Sequence, residues 1–262
     1  MQPFKIVIPS RYASTRLPGK PLLKLNGKPL IEHVYIAASK TKADEIIVAT
    51  DNHEIVKTVT AFGGNVIMTR SDHPSGTDRI NEVAVKKQWS SSTVVVNLQG
   101  DEPLVQTDNV HALVKLLDTH NSADMATLAS PFKNIADVVN PNHVKVVLDN
   151  QNFALYFSRA PIPWVRDSFS VKKLNQPTGD LPDFPFYLHI GLYAYRVSTL
   201  QQFAKLPASI LEQAESLEQL RIISNGMKII VETTTRTIGH GVDTPEDLVL
   251  VENILKKQDK SG

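Results

Sequence analysis

The chain is expected to fold as an α/β protein on a mostly parallel central sheet, and three observations carry that expectation. Short apolar runs rich in β-branched residues, Lys5-Ile6-Val7-Ile8, Ile46-Ile47-Val48-Ala49, Val66-Ile67-Met68 and Val94-Val95-Val96-Asn97-Leu98, lack helical period and read as buried strands. They alternate with segments of helical period, and such alternation gives parallel strands joined by crossover helices. The first run stops at Pro9 and leads into a loop carrying Arg11, Arg16 and Lys20, and in open α/β sheets ligands bind beyond the carboxyl ends of the strands. At 262 residues the chain is long enough for one large domain or one domain with an insert.

The elements can be justified in order. In the loop after the first strand, Leu17 and Lys20 both precede proline, which biases them toward extended backbone, and Gly19 lets the main chain approach a ligand. Ser14 and Thr15 add hydroxyls to an arginine fork and a lysine point charge, a combination suited to a polyphosphate. On charge alone this is a solvated basic loop; its place after a first strand makes it an anion site. Pro29 is expected to open a helix with Leu30, Val34, Ala37 and Ala38 on one face. Asp51 reads as the N-cap of the next helix, with Glu54 three residues on, and Gly63-Gly64 as its end. Ser71 to Ile80 reads as a polar loop closed by Thr77 or Asp78 as a helix cap, serving either plain cap chemistry or contact with a base or ribose. Val94 to Leu98 is the most uniformly apolar run and belongs mid-sheet. It ends in Gln99-Gly100-Asp101-Glu102-Pro103, where a tight turn at Gly100 delivers Asp101 beside Lys20. A helix buried through Val110, Leu113, Val114 and Leu117 follows.

From Asp124 the pattern changes to strands at Met125–Ala129, Val144–Leu148, Ala154–Phe157 and Tyr187–Tyr195, which predicts a mixed, partly antiparallel sheet. Pro161, Pro163, Pro177, Pro182 and Pro185 punctuate an aperiodic stretch from Arg159 to Phe186, read as a long surface loop. Within His189 to Tyr195, period two puts His189, Gly191, Tyr193 and Tyr195 on one face, where a histidine is by default a satisfied, half-buried residue. Leu211 to Ile223 reads as one helix with a solvated acidic face of Glu212, Glu215, Glu218 and Gln219. After Ile229-Ile230-Val231, Thr244 as N-cap, Pro245 at N1 and Asp247 at N3 start a last helix. Asp247 already fills the capping role, which leaves Asp243 for other work.

Composition narrows the function. Zero cysteines exclude disulfides, thiolate metal sites and cysteine nucleophiles, and they fit a cytoplasmic protein. Residues 1 to 9 run directly into a strand containing Lys5, so no secretory leader is expected, and no apolar run reaches the roughly 20 residues of a membrane span. A net charge of +1 gives no overall field for nucleic acid, so any anion must be met by local clusters. There is no Rossmann glycine triplet, and Gly27-Lys28 is followed by proline, so there is no Walker A motif. The G-x-S-x-G elbow and H-E-x-x-H are also absent, which removes the commonest hydrolase readings. What remains is a basic loop plus aspartates from two distant loops, the chemistry of a nucleotide with Mg²⁺, a hard ion that takes one or two carboxylates and substrate phosphates.

Five segments in this order, IPSRYASTRLPGKPL, QGDEP, HIGLYAY, LEQLR and GVDTPEDL, resemble the 3-deoxy-manno-octulosonate (Kdo) cytidylyltransferase family over nearly the whole chain. The resemblance implies a Rossmann-like nucleotidyltransferase fold of three layers, with a smaller mixed α+β subdomain for dimerisation and sugar binding. It divides the chain into a nucleotide-binding core, 1–130 with 229–262, and a sugar-acid subdomain, 131–228. CTP and Kdo as substrates, Mg²⁺ as cofactor and a homodimer are implied with it. By match to the motifs, Arg11, Ser14, Arg16 and Lys20 would hold the triphosphate, with Ser75, Gly76 and Arg79 near the cytidine. Gln99 would serve both nucleotide and sugar, Arg159, His189, Tyr193, Glu218 and Gln219 would line the sugar-acid pocket, and Asp101 and Asp243 would bind metal. Lys20, Arg16, Asp101 and Asp243 form the implied catalytic set. Ser10 stands where the family's alanine is expected. Two rivals accompany this reading: a cytidylyltransferase for another acidic sugar, such as 8-amino-Kdo or a sialic-type acid, and a non-catalytic nucleotide-binding module.

Overall fold

The computed structural model describes residues 2–12, 17–169, 181–236 and 238–259; Ser14 and Arg16 therefore lie outside the described residues, as does part of the Arg159–Phe186 stretch. The first parallel unit is formed by β1 (Phe4–Ser10), β4 (Glu45–Thr50), β5 (Val66–Met68) and β6 (Val94–Asn97), with α1 (Leu30–Ser39), α2 (His53–Ala61) and α3 (Gly76–Lys86) in the connections. A short hairpin, β2 (Lys24–Leu25) with β3 (Lys28–Pro29), precedes α1. The second half comprises α4 (Thr107–Thr119), β7 (Met125–Pro131), α5 (Ile135–Val139), β8 (Lys145–Leu148), β9 (Ala154–Ser158) and β10 (Tyr187–Arg196). It continues with α6 (Val197–Phe203), α7 (Ile210–Glu215), α8 (Gln219–Ser224), β11 (Ile229–Thr233) and α9 (Pro245–Asp259).

The main sheet runs β11-β7-β10-β6-β1-β4-β5, and β8 and β9 extend it from β10. As expected, β6 is mid-sheet, with Val95 and Val96 wholly buried. The pairs β1/β4, β1/β6, β4/β5 and β7/β11 are parallel, whereas β10 is antiparallel to both β6 and β7. Alternation along each strand builds the three layers. Ile6, Ile8, Val94 and Val96 face one core with Val34 of α1, Val59 of α2 and Leu113 of α4. Val7, Val95 and Ile47 face the other with Ile80 of α3, Phe203 of α6 and Leu220 of α8.

Five local expectations are corrected. Pro29 does not open α1 but is the last residue of the hairpin strand, at ψ 147 immediately before it. Asn52, not Asp51, caps α2, its Oδ1 accepting from the amides of Glu54 at 2.8 Å and Ile55 at 3.2 Å, because Asp51 is engaged by Arg79 at 2.7 Å. Ser75, rather than Thr77 or Asp78, caps α3, so that helix begins earlier and carries Thr77 on its first turn. The stretch Leu211–Ile223 is two helices broken at Ser216, which sits in the left-handed region at φ 52. Its acidic face is solvated only in part: Glu218 is exposed, but Glu212 is buried against Arg221, with contacts of 2.5 and 2.8 Å. Glu215 turns toward β9, accepting from Ser158 Oγ at 2.6 Å and the Arg159 amide at 2.9 Å.

Candidate active site

The loops after β1 and β6 and the loop before α9 meet at the carboxyl ends of the parallel strands. Gly100 serves a close approach here: a Cβ on it would stand 3.0 Å from the carbonyl oxygen of Pro9, at the end of β1. Gly239 is needed for the same reason, since a Cβ there would lie 2.5 Å from the carbonyl oxygen of Leu104. The two loops are then joined by the amide of Val242 donating to the carbonyl of Asp101 at 2.9 Å. At α9, Thr244 Oγ1 accepts from the Asp247 amide at 3.2 Å and Asp247 Oδ2 accepts from the Thr244 amide at 2.9 Å, the reciprocal cap expected from sequence. Burial pushes the Asp247 carboxyl up, but hydrogen bonds from His240, the amides of Asp243 and Thr244 and the Thr244 hydroxyl outweigh it and hold it at about 2.

This joint places Lys20 between the two aspartates. Its Nζ donates to Asp101 Oδ2 at 2.6 Å, to the carbonyl of Val242 at 2.9 Å and to Asp243 Oδ1 at 3.3 Å. Glu102, which sequence reasoning passed over, stands beside them: burial and the charges of Asp101 and Asp243 push its carboxyl up to about 7, with Lys20 pulling the other way. The local field is therefore strongly negative around three hard oxygen donors, and one ammonium does not neutralise it. Arg11 lies on the exposed side of the same region and donates to the carbonyl of His73 at 3.1 Å, tying the first loop to the segment before α3.

Next to this cluster is a cavity of about 240 Å³ whose lining includes Gly76, Gln99, Tyr193, Glu218 and Gln219. Five predicted site residues are thus brought together, from α3, the end of β6, β10 and the α7–α8 break. Tyr193 Oη donates to Gln219 Oε1 at 3.4 Å, and Thr77 Oγ1 donates to Glu218 Oε2 at 3.0 Å. Burial raises the Glu218 carboxyl and the Tyr193 phenol.

Four residues predicted near the cytidine or the sugar acid do not line the cavity. Arg79 is wholly buried and links α3 to the ends of β4 and β5, Nη1 donating to Thr69 Oγ1 at 2.5 Å and Nη2 to Asp51 Oδ2 at 2.7 Å. Ser75 donates through Oγ to Asp78 Oδ2 at 2.6 Å as part of the helix cap. Arg159 is linked to the α7–α8 break, Nε donating to the carbonyl of Glu215 at 2.8 Å and Nη1 to that of Pro141 at 3.1 Å. His189 lies one layer behind Tyr193, its ring against Tyr193 and Phe157 and its Nε2 3.1 Å from Thr127 Oγ1.

Asn97, Thr77 and Tyr195 line the cavity without having been named as site residues from sequence. The signal for Asn97 was a polar residue ending an otherwise apolar central strand. Tyr195 shares the β10 face with Tyr193, which the period-two reading did show.

Burial alone depresses His189 to about 3, so the ring is neutral at working pH. An unfolded histidine takes up its proton near 6.5, well before the buried one, so the stability that the neutral ring carries is complete above about 6.5 and is lost as pH falls from there toward 3. His189→Gln is therefore expected to flatten the decline in Tm between pH 6.5 and pH 4, measured by thermal melting of both proteins across that range. Identical slopes would show that other groups govern it.

Residues 5–229 match the family model for cytidylyltransferases. The 3-deoxy-manno-octulosonate cytidylyltransferase of Pseudoalteromonas atlantica is 46% identical over 256 residues, covering 97% of this chain and 99% of the relative. That of Nitrosococcus oceani is 46% identical over 259 residues, covering 98% of each. A solved structure of CMP:2-keto-3-deoxy-manno-octonic acid synthetase complexed with CTP superposes with a TM-score of 0.86 at 41% identity, over 98% of this chain and 100% of that one. With strand ends, acidic cradle and cavity arranged as above and similarity running the length of the chain, the protein belongs to the 3-deoxy-manno-octulosonate cytidylyltransferase family.

Proposed function

We propose that the protein transfers CMP from CTP to the anomeric hydroxyl of Kdo, releasing pyrophosphate and supplying CMP-Kdo for lipopolysaccharide. The observation that carries this reading is the Lys20 ammonium held by Asp101, Asp243 and the Val242 carbonyl directly beside a cavity lined by Gln99, Glu218 and Gln219. A cationic tail for phosphate and a polar chamber for a polyol lie on one ridge, as a displacement at the α-phosphorus requires.

The work of the chain is positioning and charge neutralisation. Lys20 supplies a cation where charge grows on the phosphates, with Arg11 and, by resemblance, Arg16 and Ser14 on the same loop. Gln99 spans the junction of nucleotide and sugar, and Glu218, Gln219 and Tyr193 orient the polyol so that its C2 hydroxyl meets the phosphorus in line. Arg159 and the neutral His189 stand behind these groups and hold them.

The donor set also fits Mg²⁺: three hard oxygens already embrace a cation, and Glu102 registers the surplus negative charge. Asp101 and Asp243 would hold it, and when bound it polarises the phosphate and lowers the pKa of the attacking hydroxyl. A homodimer is part of the same reading, supported by exposed Leu155 on β9 and exposed Trp164 and Phe184 on the segments between β9 and β10. A cytoplasmic location goes with the use of CTP and the absence of cysteine.

The test is pyrophosphate release with each of the four NTPs crossed against Kdo, 8-amino-Kdo, sialic acid and a sugar 1-phosphate. CTP with Kdo is expected to turn over best. Better turnover with 8-amino-Kdo would move the substrate assignment, and no release with any pair would leave a binding module.

A further inference from the structure

We infer that Asn97 is a specificity-determining residue that accepts a hydrogen bond from one hydroxyl of the sugar acid. The inference rests on the sugar-acid reading of the cavity given above. Asn97 ends β6, opposite Tyr193 on β10 and beside Val7 on β1, so its side chain enters from the floor of the cavity at the centre of the sheet. It is 2% exposed, and its Oδ1 is buried without a hydrogen-bond partner among the described residues. In the same lining, Gln219 Nε2 is buried without a partner as well.

One orphan acceptor and one orphan donor thus border a single chamber. A buried amide oxygen left without a donor is costly, and native structures rarely keep one without a reason. Hydroxyls donate and accept at once, so neighbouring hydroxyls of a polyol satisfy this pair, one donating to Asn97 and the next accepting from Gln219. An apolar ligand satisfies neither. Tyr195, buried on the same lining, stands beside the Asn97 amide. The χ2 torsion of asparagine is broad, so Oδ1 turns to meet a hydroxyl at little cost.

The binding site therefore carries a penalty in the empty enzyme that the correct sugar removes, and an analogue without the matching hydroxyl leaves it in place. Asn97→Leu keeps the shape and deletes the acceptor. It is expected to lower kcat/KM for Kdo by roughly 30-fold, chiefly through KM, while KM for CTP stays within about twofold and Tm is unchanged or higher. Asn97→Asp, which retains an acceptor, should recover part of the loss and serves as the second variant if the leucine disturbs folding.

Mono-deoxy Kdo analogues give the decisive measurement. One of them should be discriminated against by the unmodified enzyme and not by Asn97→Leu, because the lost hydroxyl and the lost acceptor are the same interaction. An unchanged KM for Kdo, an equal rise in KM for Kdo and CTP, or undiminished discrimination against every analogue overturns the role of Asn97. Failure of the unmodified enzyme to release pyrophosphate from CTP and Kdo would instead overturn the sugar-acid reading itself, and the role of Asn97 with it.

Discussion

Lys20→Ala is expected to lower kcat by a factor on the order of 10²–10³ while shifting Tm by only a few degrees. The side chain is 14% exposed and makes its contacts with carboxylates that are themselves 29% and 50% exposed, so removing it leaves Asp101 and Asp243 able to recruit water or ions. Its loss matters most where charge develops on the phosphates and no other described cation stands as close to both aspartates. Steady-state kinetics and thermal melting on the same preparation decide the matter. A large fall in Tm with near-normal turnover would show that Lys20 is a strut between two loops and not part of the chemistry.

The largest loss of stability is expected from Lys145→Met. Lys145 is wholly buried, and its Nζ donates to the carbonyls of His143 at 2.6 Å, Arg159 at 2.6 Å and Asn140 at 3.0 Å. Burial lowers it to about 8, which leaves it protonated at neutral pH with all three N–H bonds in use. Methionine fills the same volume and supplies no donor, stranding three part-buried carbonyls at a cost on the order of 3 kcal/mol. For a chain of this size that is a fall in Tm of roughly 6–12 °C. Because one acceptor is the carbonyl of Arg159, which is tied in turn to Glu215 and the α7–α8 break, KM for the sugar acid should rise more than KM for CTP. A Tm within a degree of the parent would mean that the three carbonyls find other partners.

The parallel sheet, its central strand and the meeting of Lys20 with Asp101 and Asp243 were legible because each is written locally. A β-branched run, the loop after it and the cap before α9 need no knowledge of distant residues. What escaped depends on partners far along the chain. Arg79 reads as a ligand-binding arginine until Asp51, 28 positions earlier, is seen to hold it. The segment Ile210–Ser224 keeps helical period throughout, so nothing in it announces the break at Ser216; the break follows from Glu215 being drawn to β9 while Glu212 is held by Arg221. Asn97 looked like the polar end of a hydrophobic strand, and only the cavity above it gives it a task.

The antiparallel strand β10 also sets an order of assembly. Strands β5, β4, β1 and β6 are complete by Asn97 and, until β10 arrives, pair only with one another, so this half of the sheet can gather before the rest of the chain exists. Neither β7 nor β11 pairs with a strand of that unit; they join it through β10, whose partners on β6 lie about 100 residues earlier. On the ribosome the sheet therefore cannot close until Arg196 has emerged, and the cavity, which needs β10 and α8, forms after the ends of β1 and β6 are in place. Until then β6 presents a bare central edge, and a chain stalled at that point offers a short, apolar unpaired strand to other chains.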